Sequence, residues 1–159
     1  MQNNTPTTTF TAICKHVFDG DSFTAHKEGE ENCFEIRLYG IDAPERGQEY
    51  AKQARERLIK LIRNKSIRVE QMDTDRYGRC VAKVYRGDTY VNLEMLRLGL
   101  AWHYTHHAGH DAQLLLAALD AQNAGLGLWQ APAPIPPRQW RREKAAKAQT
   151  DVIHDDNQD

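Results

Sequence analysis

Residues Phe34-Glu35-Ile36-Arg37-Leu38-Tyr39 alternate apolar and polar side chains and then run into Gly40-Ile41-Asp42-Ala43-Pro44-Glu45. A period of two is the signature of a strand with one buried face, so Phe34, Ile36 and Leu38 face a core while Arg37 faces the other side. The strand thus delivers an arginine and two carboxylates, Asp42 and Glu45, to a single tight turn. Similar runs recur. Residues 10–41 read as strands separated by turns at Gly20 and at Lys27–Asn32. Ser66–Met72 alternates Ile67 and Val69 against Arg68 and Glu70, and Cys80–Arg86 forms a fifth strand after the turn at Tyr77-Gly78.

Helical spacing appears between and after these strands. From Gly47 to Arg63, the side chains Ala51, Ala54, Leu58, Leu61 and Ile62 share one face. Asn92 is placed to cap a helix over Leu93–Leu98 that stops at Gly99, and a third helix spans about Asp111–Asn123. Five strands with a helix after the third predict an α+β fold, a five-stranded OB-type barrel with about three helices. The open face of such a barrel commonly binds oligonucleotides.

The 159 residues suit one core-forming domain over residues 10–130, preceded by a flexible start at 1–9. Beyond Trp129 the chain is Pro-rich and then basic over 131–147, read as an extended wrap. Residues 148–159 are acidic and read as a disordered tail. No apolar run is long enough to span a bilayer, which excludes a membrane helix. Nor does the start have the form of a signal peptide, so the chain as written is expected in the cytoplasm unless a leader has been removed. Cys14, Cys33 and Cys80 are read as free thiols, with a Cys14–Cys33 bridge as the alternative.

The net charge of −1 excludes a strongly basic, DNA-coating surface. Residues 1–135 carry 16 basic and 17 acidic side chains. An enzyme that engages a few phosphates through a metal ion needs no basic excess. Aspartates at strand ends offer hard oxygens suited to Ca²⁺ or Mg²⁺ rather than zinc. Asp21 and Asp42, with the backbone carbonyl of Ala43, make such a donor set, leaving positions open for water and phosphate. Glu45, two residues beyond that turn, is the candidate general base. Arg37 and Arg79, the latter in Asp75-Arg76-Tyr77-Gly78-Arg79, are suited to charge that builds on phosphoryl oxygens. Asp19 either stabilises its turn or supports the metal from behind its ligands.

These blocks together resemble the staphylococcal nuclease (thermonuclease) family. The match runs through Val17-Phe18-Asp19-Gly20-Asp21-Ser22, residues 37–45, Asp75–Arg79, Val91-Asn92, Gly99-Leu100-Ala101 and Gly127-Leu128-Trp129. The resemblance implies a Ca²⁺-dependent endonuclease of little sequence specificity, acting on DNA and RNA and leaving 3′-phosphate ends. By motif, Asp21, Asp42 and Ala43 match the metal ligands, and Arg37, Glu45 and Arg79 the catalytic residues. Arg76, Tyr77 and Tyr104 are the candidate substrate-binding residues. Family members are often secreted or periplasmic, and a monomer with a nucleic-acid substrate is expected. The alternative is a non-catalytic OB-fold module that binds nucleic acid.

Other features have plainer readings. His103, His106, His107 and His110 are read as a solvated or substrate-adjacent loop rather than a zinc site, since Gly109 and the boundary at Gly99 break the helix that their spacing needs. Arg86-Gly87-Asp88 is a hairpin turn. Trp129 and Trp140 anchor the C-terminal segment. The basic cluster from Arg138 to Lys147 is a solvated face, with a secondary phosphate contact as its alternative.

Overall fold

The computed structural model describes residues 5–155, with side chains described to Val152. The chain runs through β1 (Thr8–Val17), β2 (Ser22–Lys27), β3 (Cys33–Leu38), β4 (Ile41–Asp42), α1 (Ala51–Ile62), β5 (Ser66–Thr74), β6 (Cys80–Arg86) and β7 (Thr89–Tyr90). It continues through α2 (Val91–Arg97), β8 (Trp102–His103), α3 (Thr105–Ala108), α4 (Ala112–Asn123), a 3₁₀ turn at Gly127–Gln130 and α5 (Pro137–Asp155).

Antiparallel pairing links β3 to β2, β2 to β1, β1 to β5 and β5 to β6. A parallel pairing of Ile36, Arg37 and Leu38 with Cys80, Val81 and Ala82 then closes the sheet. The result is a mixed five-stranded barrel in an α+β fold, and closure leaves no long exposed edge. Phe23, Ile36, Leu38, Ile67 and Val69 fill its interior, and α1 adds Ala54, Leu58 and Ile62 from a single helical face.

Asn92 is the point at which the sequence reading fails. The helix begins two residues earlier than expected, at Val91 after Tyr90, and Asn92 lies inside it, fully buried. Its Oδ1 accepts from the Val84 N–H at 2.9 Å, and its Nδ2 donates to the carbonyls of Tyr39 (2.9 Å) and Ala82 (3.0 Å). A short amide that could have capped a helix instead joins β6 to the end of β3. At Gly99 a side chain would fall 2.1 Å from the Leu126 carbonyl oxygen, while Gly99 itself accepts from the Leu128 N–H at 2.8 Å. The glycine blocks at 99 and 127 are therefore one crossing of two backbones.

Two helices were not foreseen. The first, α3, lies in the histidine-rich segment. The second, α5, takes up most of what reads as an extended wrap and disordered tail; residues 156–159 lie outside the described residues. All three cysteines are free. The hairpin turn at Gly87-Asp88 joins Arg86 to its partner Thr89. No described helix is long and apolar enough to cross a membrane.

Candidate active site

Asp19 builds the turn between β1 and β2. Its Oδ1 accepts from the Asp21 N–H (3.0 Å) and the Ser22 hydroxyl (2.8 Å), fixing the backbone that presents Asp21. Gly20 allows the turn to seat deeply, since a Cβ there would lie 2.7 Å from Ala54 Cβ and 2.8 Å from Ala43 Cβ. That approach brings Asp21 to the Ala43 turn, where its Oδ2 accepts from the Ala43 N–H at 2.7 Å.

Arg37 lies between the two aspartates. Its guanidinium is 3.3 Å from Asp21 Oδ2 and 3.5 Å from Asp42 Oδ1, and it also donates to the Leu38 carbonyl at 3.0 Å. Both carboxyls titrate above the usual range, because burial disfavours their charge more than Arg37 restores it. One guanidinium thus faces two desolvated acids. Hard oxygens in a nearly buried, anion-rich corner form a donor set that suits a divalent cation, so Asp21, Asp42 and Ala43 fit the ion suggested by the sequence. Among the described residues, no three His, Cys, Asp or Glu side chains assemble as a metal cluster, and the histidine segment forms no such site.

Arg79 enters from the β5–β6 hairpin, where Asp75 does for the turn what Asp19 does for the other. Asp75 Oδ1 accepts from the N–H groups of Tyr77 (2.9 Å) and Arg79 (3.0 Å), while Oδ2 takes the Arg79 Nε at 2.7 Å. Although burial opposes it, these bonds hold the Asp75 carboxyl below its ordinary value. Glu45 follows the Ala43-Pro44 turn. Gln48 Oε1 accepts its backbone N–H at 2.8 Å, and its carboxylate pairs with Arg141 of α5.

All of these groups line one cleft of about 670 Å³. Asp21, Arg37, Asp42, Ala43, Glu45 and Arg79 are brought together there, as are Arg76, Tyr77 and Tyr104. Tyr77 is exposed at the rim, its hydroxyl accepting from Arg76 at 2.8 Å. Tyr104 sits under Arg37, with the guanidinium carbon 5.8 Å from its ring centroid.

Two contributions enter the sequence reading only as alternatives, a substrate-adjacent histidine segment and a secondary phosphate contact of the basic cluster. His107 stacks parallel to Tyr39 at 5.9 Å and meets Tyr104 edge-on at 4.6 Å, and its Nδ1 accepts from the Gly40 N–H. Burial, helped by Arg37, lowers its pKa to about 4, so the ring is neutral. Arg138, Arg141 and Arg142 of α5 line the opposite wall. Their i, i+3, i+4 spacing puts them on one face, but nothing local in the sequence says which surface that face meets.

A closed five-stranded barrel with paired acids and arginines in one cleft defines the class: an OB-type domain with a site suited to phosphate chemistry. Comparison with known proteins makes this specific. The family model described as "Staphylococcal nuclease homologue" matches residues 35–131. A probable staphylococcal-like nuclease of Oryza sativa subsp. japonica is 45% identical over 113 residues, covering 70% of this chain and 33% of the relative. An uncharacterized endonuclease of Haemophilus influenzae is 38% identical over 128 residues, 80% of this chain and 71% of the relative. Another, from Escherichia coli O157:H7, is 36% identical over 129 residues, covering 80% and 82%. The chain belongs to the staphylococcal nuclease family. It spans about a third of the rice relative and most of the two bacterial ones.

Proposed function

We propose that the chain is a Ca²⁺-dependent endonuclease that hydrolyses phosphodiester bonds of DNA and RNA with little sequence specificity and leaves 3′-phosphate ends. The observation that carries this reading is the convergence of Asp21, Arg37, Asp42, Glu45 and Arg79 on one cleft. Family membership and the nuclease names of several relatives support it.

Asp21, Asp42 and the Ala43 carbonyl would hold the ion, which supplies Lewis-acid polarisation of the phosphate. Glu45 accepts a proton from the attacking water. Arg37 and Arg79 donate to the non-bridging oxygens as charge accumulates there, each held in place beforehand by a carboxylate. The bond from phosphorus to the 5′ oxygen breaks, and the phosphate stays on the 3′ side.

Incubating plasmid DNA and a structured RNA with Ca²⁺, Mg²⁺ or chelator, followed by end-group analysis, tests the proposal. Calcium-dependent fragments with 3′-phosphates are expected. Products with 5′-phosphates, or intact plasmid in every tube, would overturn it, and intact but tightly bound plasmid would favour a binding module.

A further inference from the structure

The C-terminal helix α5 lies outside the acid–arginine constellation, yet it closes one side of the cleft. It is not a loosely attached tail. Trp140 sits in a groove with Gly47, Tyr50, Trp102, Leu128 and Ile135, and a Cβ on Gly47 would touch the Trp140 ring at 3.5 Å. Gln48 reinforces the docking: its Nε2 donates to the Ile135 carbonyl at 2.9 Å while its Oε1 holds the Glu45 N–H. The residue that steadies the Glu45 turn thus also fixes the approach to α5.

Docked in this way, α5 turns three of its five basic side chains toward the cleft. Arg138, Arg141 and Arg142 line it, whereas Lys144 and Lys147 do not. Over residues 136–147 five basic side chains face a single acid, Glu143, so this wall is strongly positive on a chain whose body is nearly neutral. Arginine is suited to this position because its planar fork can take two phosphate oxygens together. Arg141 meets Glu45 in a pair in which both side chains are partly exposed, at 52% and 34%. Such a solvent-shared pair is weak enough for an incoming phosphate to replace.

We propose that Arg138, Arg141 and Arg142 form a second phosphate-binding site, which grips the backbone of the nucleic-acid strand beside the scissile bond. Arg141 exchanges the Glu45 carboxylate for a substrate phosphate as the strand enters, leaving Glu45 to face the water. The ligand class is a phosphodiester backbone, with no base recognition. This inference rests on the nuclease reading for the identity of its ligand, and it goes beyond that reading by assigning the helix a role.

The test is equilibrium binding of a fluorescein-labelled single-stranded 12-mer, measured by anisotropy in chelator across a KCl series. Each lost phosphate contact on a single strand removes about 0.7 from the slope of log affinity against log salt. The R138Q/R142Q double variant is expected to lose about 1.4 of slope and to bind roughly tenfold more weakly at low salt. K144Q/K147Q makes the same change in net charge away from the cleft and should keep the wild-type slope. An unchanged slope in R138Q/R142Q overturns the site, and so does an equal loss in both variants, which would mean a diffuse charge effect. Plasmid cleavage by the wild-type protein is scored separately. If the wild type cuts while R138Q/R142Q keeps its slope, the site fails and the nuclease reading stands. If the wild type binds with an arginine-dependent slope but never cuts, the nuclease reading fails and the site stands. A wild-type chain that does not bind the oligonucleotide overturns the site.

Discussion

Replacing Asn92 with leucine, which keeps the number and branching of the side-chain heavy atoms but is bulkier, removes one buried polar clamp. Leucine cannot accept from the Val84 N–H or donate to the Tyr39 and Ala82 carbonyls, all of which Asn92 engages within 3.0 Å. The Ala82 carbonyl keeps a partner, because it also accepts from the Tyr39 N–H at 2.8 Å. The Val84 N–H and the Tyr39 carbonyl both lose their Asn92 bonds. At about 1–3 kcal/mol for the buried Val84 N–H alone, with the gain from added apolar surface offset by crowding, the net cost is roughly 1–3 kcal/mol. That is a large fraction of the stability of an ordinary domain. Urea unfolding followed by circular dichroism should show a midpoint lower by roughly 0.5–1.5 M with little change in slope, given about 2 kcal/mol per molar. A midpoint within about 0.3 M of wild type would refute the argument, since the clamp would then be worth no more than the packing that replaces it.

Arg79→Ala should lower kcat by about 10²–10⁴, since it removes a guanidinium held ready for transition-state charge; single-turnover cleavage of a labelled oligonucleotide reads this, and a wild-type rate would remove Arg79 from the mechanism. Ca²⁺ should support cleavage while Mg²⁺ supports binding with little turnover, because the few protein oxygens offered suit an irregular, expandable shell; equal rates in the two ions would contradict this. Asp42→Asn should keep the fold but demand more Ca²⁺ for half-maximal rate, and an unchanged Ca²⁺ titration would show that Asp42 is no ligand. His107 gives a pH prediction. Its folded pKa of about 4 lies below the value of 6.5 for a free histidine, so between these limits the unfolded chain binds more protons. The stability associated with neutral His107 is complete above about pH 6.5 and is lost as pH falls toward 4. Allowing for partial solvent access, the loss is roughly 1–2 kcal/mol. His107→Phe keeps the ring but not the titration, so its denaturation midpoints should decline less over this range, and parallel curves would rule the effect out.

The barrel was legible because its strands alternate and its turns carry glycine. The half-buried β3 announces its own faces in Ile36, Arg37 and Leu38, and the carboxylate and arginine positions follow from the turns that bound it. Asn92 misled because an amide before a helix looks the same whether it caps that helix or is drawn inside to satisfy two strands. This choice is made by tertiary packing, through Val84, Tyr39 and Ala82, which are distant in sequence or on another element. The C-terminal helix was missed for a related reason. Its prolines and charges favour an extended, solvated segment, and it is long-range contacts, Trp140 against Gly47, Gln48 on the Ile135 carbonyl and Arg141 on Glu45, that show the helix is held. His107 carried no usable signal, because its neutral state depends on burial beneath Tyr39 and Tyr104 rather than on its neighbours in the chain.

Three arginines of the cleft are held by carboxylates. Arg37 is paired with Asp21 and Asp42, Arg79 with Asp75, and Arg141 with Glu45. These carboxylates cancel charge at long range while fixing the direction of each guanidinium at short range. A free arginine would attract nucleic acid more strongly but would have to be ordered when the phosphate arrived. A paired one attracts less and is already aimed, which favours the transition state over the bound ground state. The opposite imbalance exists at Asp21 and Asp42, where two acids share one guanidinium and titrate high because burial disfavours their charge more than Arg37 restores it. A divalent cation there would satisfy both acids and allow Arg37 to turn part of its fork toward phosphate. The same deficit that makes this corner costly in the ligand-free protein is what would make it bind an ion.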